Sequence, residues 1–238
     1  METNYSHNLQ CLFYLTYNSY IYKKQLYLPE YLINNDNFFF TFLKKKYNFD
    51  IIKRHQLLLS NSLFNEIGDF STIRDNNINK IQNEQFKFSF NQFFKSEHTY
   101  KCIYVTRQKS SRRHIVNEYE LITSLKNNIS ELEVISLDYG YSYLDQAKMF
   151  SSCKLFISLH GAAIINMIYM PKNSKVIEIT PPIKHNYPEI AKICEINHYY
   201  ACCENYRPSD NCIRYPRDCF ITLSTEEIEN VIKIVNDC

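Results

Sequence analysis

The apolar run LFISLHGAAIINMIYMP, residues 155–171, breaks once, at His160 and Gly161, and then resumes. The chain has only three glycines, so one set inside an otherwise buried stretch marks a point where the backbone needs a residue without a Cβ. A strand that closes in a tight turn and restarts as a helix meets that need, because the first helical amides find no partner inside the helix and a glycine lets the chain turn close to them. Amides presented in this way favour an anion. The break therefore restricts the segment to a strand, a turn and a helix with an anion-binding corner.

The flanking sequence repeats this unit. From Tyr100 the pattern predicts a strand CIYVT (102–106), a basic loop, a helix from near Asn117 and a strand ELEVISL (131–137). A helix over 142–152, the strand KLFISL (154–159), the His160 turn with its helix, and the strand KVIEIT (175–180) follow. Asn117 with Glu120, Ser142 with Asp145, and Ser224 with Glu227 have the spacing of capping boxes. In the last helix Ile228, Val231, Ile232 and Val235 share one face, which predicts packing against the rest of the fold. Strands alternating with helices give an α/β fold with a parallel sheet. Residues 1 to about 95 are aromatic and Asn-rich, with helices expected near 8–22 and 29–46, a strand-like HQLLLS at 55–60 and a polar loop over 68–85.

Charge and composition narrow the partners. A formal charge of +2 with mixed signs, and basic runs no longer than KKK (44–46) and RR (112–113), exclude the cationic surface of a nucleic-acid binder. No stretch approaches the roughly 18 to 20 apolar residues of a membrane span, and the first thirty residues lack a basic start followed by an apolar block. The expectation is a chain with no transmembrane segment and a cytoplasmic or membrane-peripheral location; the ER or Golgi lumen is the alternative if an N-terminal anchor has been lost. Nine cysteines show no pair with the gap of a zinc knuckle, so reduced, mostly buried thiols and no metal site are expected.

Ligands of open parallel sheets sit at the carboxyl ends of the strands. There the sequence places Arg107, Arg112 and Arg113 after the first strand and His160 with Gly161 after the third. Glu178 lies inside an apolar strand, where a carboxylate must find partners or bear a large desolvation cost. Arginine forks and helix amides neutralise phosphates, and a carboxylate accepts from ribose hydroxyls, so the set forms a candidate cradle for a nucleoside diphosphate. Ser158 and Asn166 read equally well as packing.

The spans TRQKSSRRHIVNEYEL and SYLDQAKMFSSCKLFISLHGAAIINMIYMPKNSKVIEITPP resemble glycosyltransferase family 61, whose pattern runs Arg, a short gap, Arg-x-x-x-Asn-Glu, HGA, Asn, Met-Pro and Val-Ile-Glu-Ile. The resemblance implies a GT-B architecture of two Rossmann-like halves, with residues 98–238 as the C-terminal half that binds the nucleotide sugar. Residues 1–97 would form an acceptor-side half that begins late and is incomplete. By position, the resemblance assigns Arg107, Arg113, Asn117, Glu118, His160, Gly161, Ala162, Asn166 and Glu178 to the donor site. Ala163 stands where the family commonly has a second glycine. NYSH (4–7) is similar to the family's Asn-aromatic-x-His motif and makes His7 the catalytic candidate, with Cys11 where an acid is usual. The implied activity is inverting transfer from a nucleotide sugar, a UDP-sugar, to a hydroxyl of a glycan or glycoprotein, with no permanently bound cofactor. The alternative is a truncated or degenerate relative that binds a nucleotide without catalysis.

Overall fold

The computed structural model describes residues 26–29, 49–52, 101–108, 113–137, 141–182, 187–208 and 219–237. The chain forms two compact units, one of residues 1–88 with 142–147 and one of residues 89–141 with 148–238. In the first, β1 (Leu26–Pro29) and β2 (Phe49–Ile52) pair in parallel, with Leu26 beside Phe49. Apart from Pro29, which closes β1, the helices expected near 8–22 and 29–46, the strand-like 55–60 and the loop 68–85 lie outside the described residues.

The remaining chain runs β3 (Lys101–Val105), α1 (Glu118–Asn128), β4 (Leu132–Ile135), α2 (Tyr143–Ser151), β5 (Cys153–Leu159), a 3-10 helix (Ala162–Tyr169) and β6 (Lys175–Thr180). It continues through α3 (Tyr187–Cys194), β7 (Asn197–Cys202), β8 (Tyr206–Pro208), β9 (Cys219–Ile221) and α4 (Thr225–Asn236). Five of these strands make one sheet in the order β4-β3-β5-β6-β7, with every pair parallel. The predicted α/β class and parallel sheet are observed, and the arrangement is Rossmann-like.

Both faces of the sheet are covered, which is why β6 reads as a continuous apolar strand rather than an alternating one. Tyr104, Ile157, Leu159, Ile177, Ile179 and Ala201 share a core with Leu121 and Leu125 of α1 and Ile228 and Val231 of α4. Ile232 and Val235 pack against the same core, as the predicted face of the last helix requires. The 3-10 helix and α3 lie against the sheet on its other side. Alternation along β5 and β6 turns Ser158 and Glu178 to that second face.

The caps differ from one another. Ser224 and Glu227 form a full capping box at α4, with Glu227 N donating to Ser224 Oγ at 3.2 Å and Ser224 N to Glu227 Oε2 at 2.7 Å. Ser142 and Asp145 make the same reciprocal pair at α2. Asn117 does not cap α1 with its side chain; its amide is engaged with a distant backbone, as described below. At the other end of α4, the buried Lys175 ammonium donates to the Ile234 carbonyl at 2.5 Å. A cation from β6 thus satisfies a carbonyl at a helix C-terminus, where the dipole favours it.

Among the described residues, Cys102, Cys153, Cys194, Cys202 and Cys203 are free thiols. Burial pushes the Cys153 and Cys194 thiols well above their ordinary range, which leaves them unreactive. No helix among the described residues is long and apolar enough to cross a membrane.

Candidate functional site

The strand order fixes where a ligand can enter. From β3 the chain crosses to β4 on one side and then returns to β5 on the other, so the connections diverge between β3 and β5. In open α/β sheets this divergence opens a crevice at the carboxyl ends of the two strands. Thr106 and Arg107 follow β3, and His160 and Gly161 follow β5.

The loop that bears the arginines is fastened at both ends. Glu118, 2% exposed, opens α1 and turns its carboxylate toward the end of β3. It accepts from Tyr104 Oη at 2.7 Å and Thr106 Oγ1 at 2.6 Å, and from the Arg107 amide at 3.4 Å. Burial, followed by the adjacent carboxylate, raises the Tyr104 phenol well above its usual pKa, so it stays a donor. At the other end, Asn117 donates to the Leu223 carbonyl at 2.8 Å and accepts from the Leu223 amide at 2.9 Å. The backbone of 114–116 also pairs with Ile221 of β9. Asn117 and Glu118 therefore hold the loop that carries the arginines.

Arg113 has φ of 52°, in the left-handed region that a β-carbon disfavours. Its carbonyl accepts from Arg107 Nε at 3.0 Å, which ties the two arginines together across the loop. Both guanidiniums reach Gly161: a Cβ built there would stand 3.4 Å from Arg107 Nη1 and 3.7 Å from Arg113 Nη1. The turn itself is held by Tyr187 Oη, which donates to the Gly161 carbonyl at 2.9 Å, and by the His160 amide, which donates to the Ile179 carbonyl at 2.7 Å.

Neither its dihedrals nor its protein neighbours require a residue without a Cβ at Gly161, contrary to the expectation from the sequence. Its φ of 161° is extended backbone open to any residue, and the distances just given are ordinary van der Waals contact. Gly161→Ala should therefore keep the fold, with stability changed by less than about 1 kcal/mol. The added methyl would stand in front of both guanidiniums, so pyrophosphate affinity measured by calorimetry should fall about tenfold.

After the turn the chain forms a 3-10 helix of eight residues, Ala162–Tyr169. Ala162 opens it, half-buried. Asn166 is fully buried within it and donates to the Ala163 carbonyl at 3.1 Å.

On the second face of the sheet, Glu178 is 0% exposed and joins two imidazoles. His160 Nδ1 lies 2.5 Å from Oε1, and His198 Nε2 lies 2.8 Å from Oε2. With Glu178 ionised, both of its oxygens accept and each facing ring nitrogen is the donor. The Tyr187 ring packs 5.8 Å from His160, and the Tyr200 ring 4.8 Å from His198. The partners that the sequence demanded for a buried Glu178 are thus two histidines, one of which, His198, was not singled out in the sequence. Its signal was weak: an edge strand NHYYAC, two residues after a short helix, rich in aromatic residues and without alternation.

The structure brings Arg107, Arg113, His160 and Gly161 to one place, with Glu178 directly behind His160. It sets Asn117 and Glu118 beneath the arginine loop and Asn166 inside the helix. His7, Cys11 and Arg112 lie outside the described residues. Among the described residues, no group of three His, Cys, Asp or Glu side chains could hold a metal ion.

A doubly covered parallel sheet, with two guanidiniums beside a glycine turn at its switch point, defines a Rossmann-like domain. The chain belongs to glycosyltransferase family 61, whose model matches residues 9–177. It is 32% identical over 78 residues to the EGF domain-specific O-linked N-acetylglucosamine transferase of Canis lupus familiaris, a match covering 32% of this chain and 15% of that protein. It is 30% identical over 88 residues to the protein O-linked-mannose beta-1,4-N-acetylglucosaminyltransferase 2 of Xenopus tropicalis, covering 37% of this chain and 15% of the relative. The Xenopus laevis protein of the same name is 26% identical over 136 residues, which is 52% of this chain and 23% of the relative. The chain thus aligns with less than a quarter of these relatives' length. A solved diflavin flavoprotein A3 from Nostoc sp. overlays 58% of the chain at 10% identity and a TM-score of 0.34, a likeness too low to bear on function.

Proposed function

We propose that residues 98–238 bind the diphosphate of a nucleotide sugar and that the protein transfers the sugar to a hydroxyl of a glycan or glycoprotein. The observation that carries this reading is the approach of both guanidiniums to Gly161 at the mouth of the switch-point crevice. Two fixed cations and a glycine turn suit a diphosphate, which needs charge on two sides and a close backbone. The relatives' names favour N-acetylglucosamine as the sugar and a protein-linked acceptor, and the donor we propose is a UDP-sugar.

In this reading the acceptor oxygen attacks the anomeric carbon while the bond to the diphosphate breaks, and the single displacement inverts the centre. The developing negative charge falls on the diphosphate oxygens. Arg107 and Arg113 lower the barrier by meeting that charge with donors already in position. The acceptor and the base that deprotonates it would come from a second Rossmann-like half in a GT-B arrangement, with His7 as the candidate residue.

A thermal-shift panel tests the binding step, because a ligand of the folded state alone raises its melting temperature. UDP and UDP-sugars should raise it, and uridine and free sugars should not. Equal shifts with uridine, or none with any diphosphate, would count against the reading.

A further inference from the structure

We infer that His198 is a positioning residue of the nucleotide site, acting on His160 through Glu178. The inference rests on the function proposed above and adds a residue to it. His198 lies beyond residues 9–177, the span matched by the family model.

The register shows how the link is built. Glu178 of β6 is paired with Tyr200 of β7, and Val176 with His198. His198 is therefore the diagonal neighbour of Glu178 on the same face, a distance that a long side chain spans. His160, one residue past β5, approaches Glu178 from the other side. The carboxylate is 0% exposed, and the side chains of the two histidines are 9% and 5% exposed. Water is thus a poor substitute for either ring as partner.

Each imidazole occupies one carboxylate oxygen, and this division does the positioning. Glu178 Oε1 holds the proton on His160 Nδ1, which leaves Nε2 on the opposite edge of the ring. Without the His198 donor the buried carboxylate is less well satisfied, which favours its turning or taking up a proton, and either change loosens its hold on His160 Nδ1. The other groups near the chain of rings are Tyr187 beside His160, Tyr200 beside His198, and the two arginines at Gly161. Burial, then Glu178, then Glu189 and Cys202 raise the Tyr200 phenol, so it remains neutral beside the carboxylate.

Two substitutions of similar size separate positioning from bulk structure. The amide nitrogen of Gln reaches about as far as Nε2 of histidine, whereas that of Asn stops near the place of Nδ1. His198→Asn should break the bond to Glu178, and His198→Gln should keep it. The first readout is the Nδ1-bound proton of His160 in the nucleotide-free protein. It should appear far downfield in an imidazole-selective proton–nitrogen spectrum of the wild type, be lost or move upfield in His198→Asn, and return in His198→Gln.

The second readout is UDP affinity by calorimetry. It should fall about tenfold in His198→Asn and recover to within about twofold in His198→Gln. An unchanged His160 proton signal in His198→Asn would overturn the inference. So would unchanged affinity in His198→Asn when His160→Ala loses affinity, an outcome that leaves the proposed function standing. If the wild type binds no UDP, the proposed function fails and the His160 signal alone decides whether His198 positions it.

Discussion

Glu178→Ala should lower stability by about 3 kcal/mol, more than any other single change at the site. The variant removes the side chain that joins His160 to His198 and takes its acceptor oxygens from two nearly buried N–H groups, inside a sheet covered on both faces. It also opens a void of four heavy atoms between β5 and β7, which adds a packing term. Glu178→Gln should cost less. It keeps the volume and one carbonyl acceptor, but sets an NH2 against one ring, which must then switch tautomer. Urea unfolding of both variants checks the order. Equal and small losses would mean that the two histidines are satisfied elsewhere.

Arg113→Gly should weaken UDP binding by about 1.5 to 3 kcal/mol, the range of a charge-assisted hydrogen bond to an anion. Glycine is the informative replacement. Arg113 sits at φ 52°, where glycine is at ease and arginine is strained by about 1 kcal/mol. The relief roughly offsets the entropy that glycine adds to the unfolded chain, so stability should change by no more than about 0.5 kcal/mol. A loss of affinity at unchanged stability assigns the guanidinium to the ligand. Unchanged affinity would make the left-handed residue a matter of loop geometry alone.

The parts of the site that were legible in the sequence are those marked by a local break in an apolar run. A glycine between two apolar runs, in a chain with three glycines, marked the turn at Gly161. A carboxylate among Val176, Ile177 and Ile179 showed that Glu178 must be partnered. Both features occupy the places expected, although the turn itself does not require a glycine.

The partners themselves were not legible, because they come from a distance. His198 reaches Glu178 across a strand pairing 20 residues apart in the chain, and no local pattern encodes that pairing. Asn117 shows the same limit: its spacing to Glu120 predicts a cap, yet its amide pairs with the backbone of Leu223, 106 residues away. The tertiary partner takes the amide oxygen that would have capped the helix, while the amide nitrogen still donates to Glu120 Oε2 at 2.8 Å. The family resemblance places Asn166 in the donor set; in the 3-10 helix its amide nitrogen donates to the Ala163 carbonyl, a contact that no spacing predicts.

The central claim is that the crevice between β3 and β5 receives a nucleoside diphosphate. Titration of UDP into nitrogen-15-labelled protein tests it most directly, because each amide reports its own surroundings. The account predicts the largest shifts at residues 106–108, 113–114 and 160–163, with those of Arg107, Arg113 and Gly161 saturating together, and with those of Arg107 and Gly161 needing at least about tenfold more UDP in Arg113→Gly. Shifts centred on another strand end, or a spectrum unchanged by UDP at millimolar concentration, would contradict it.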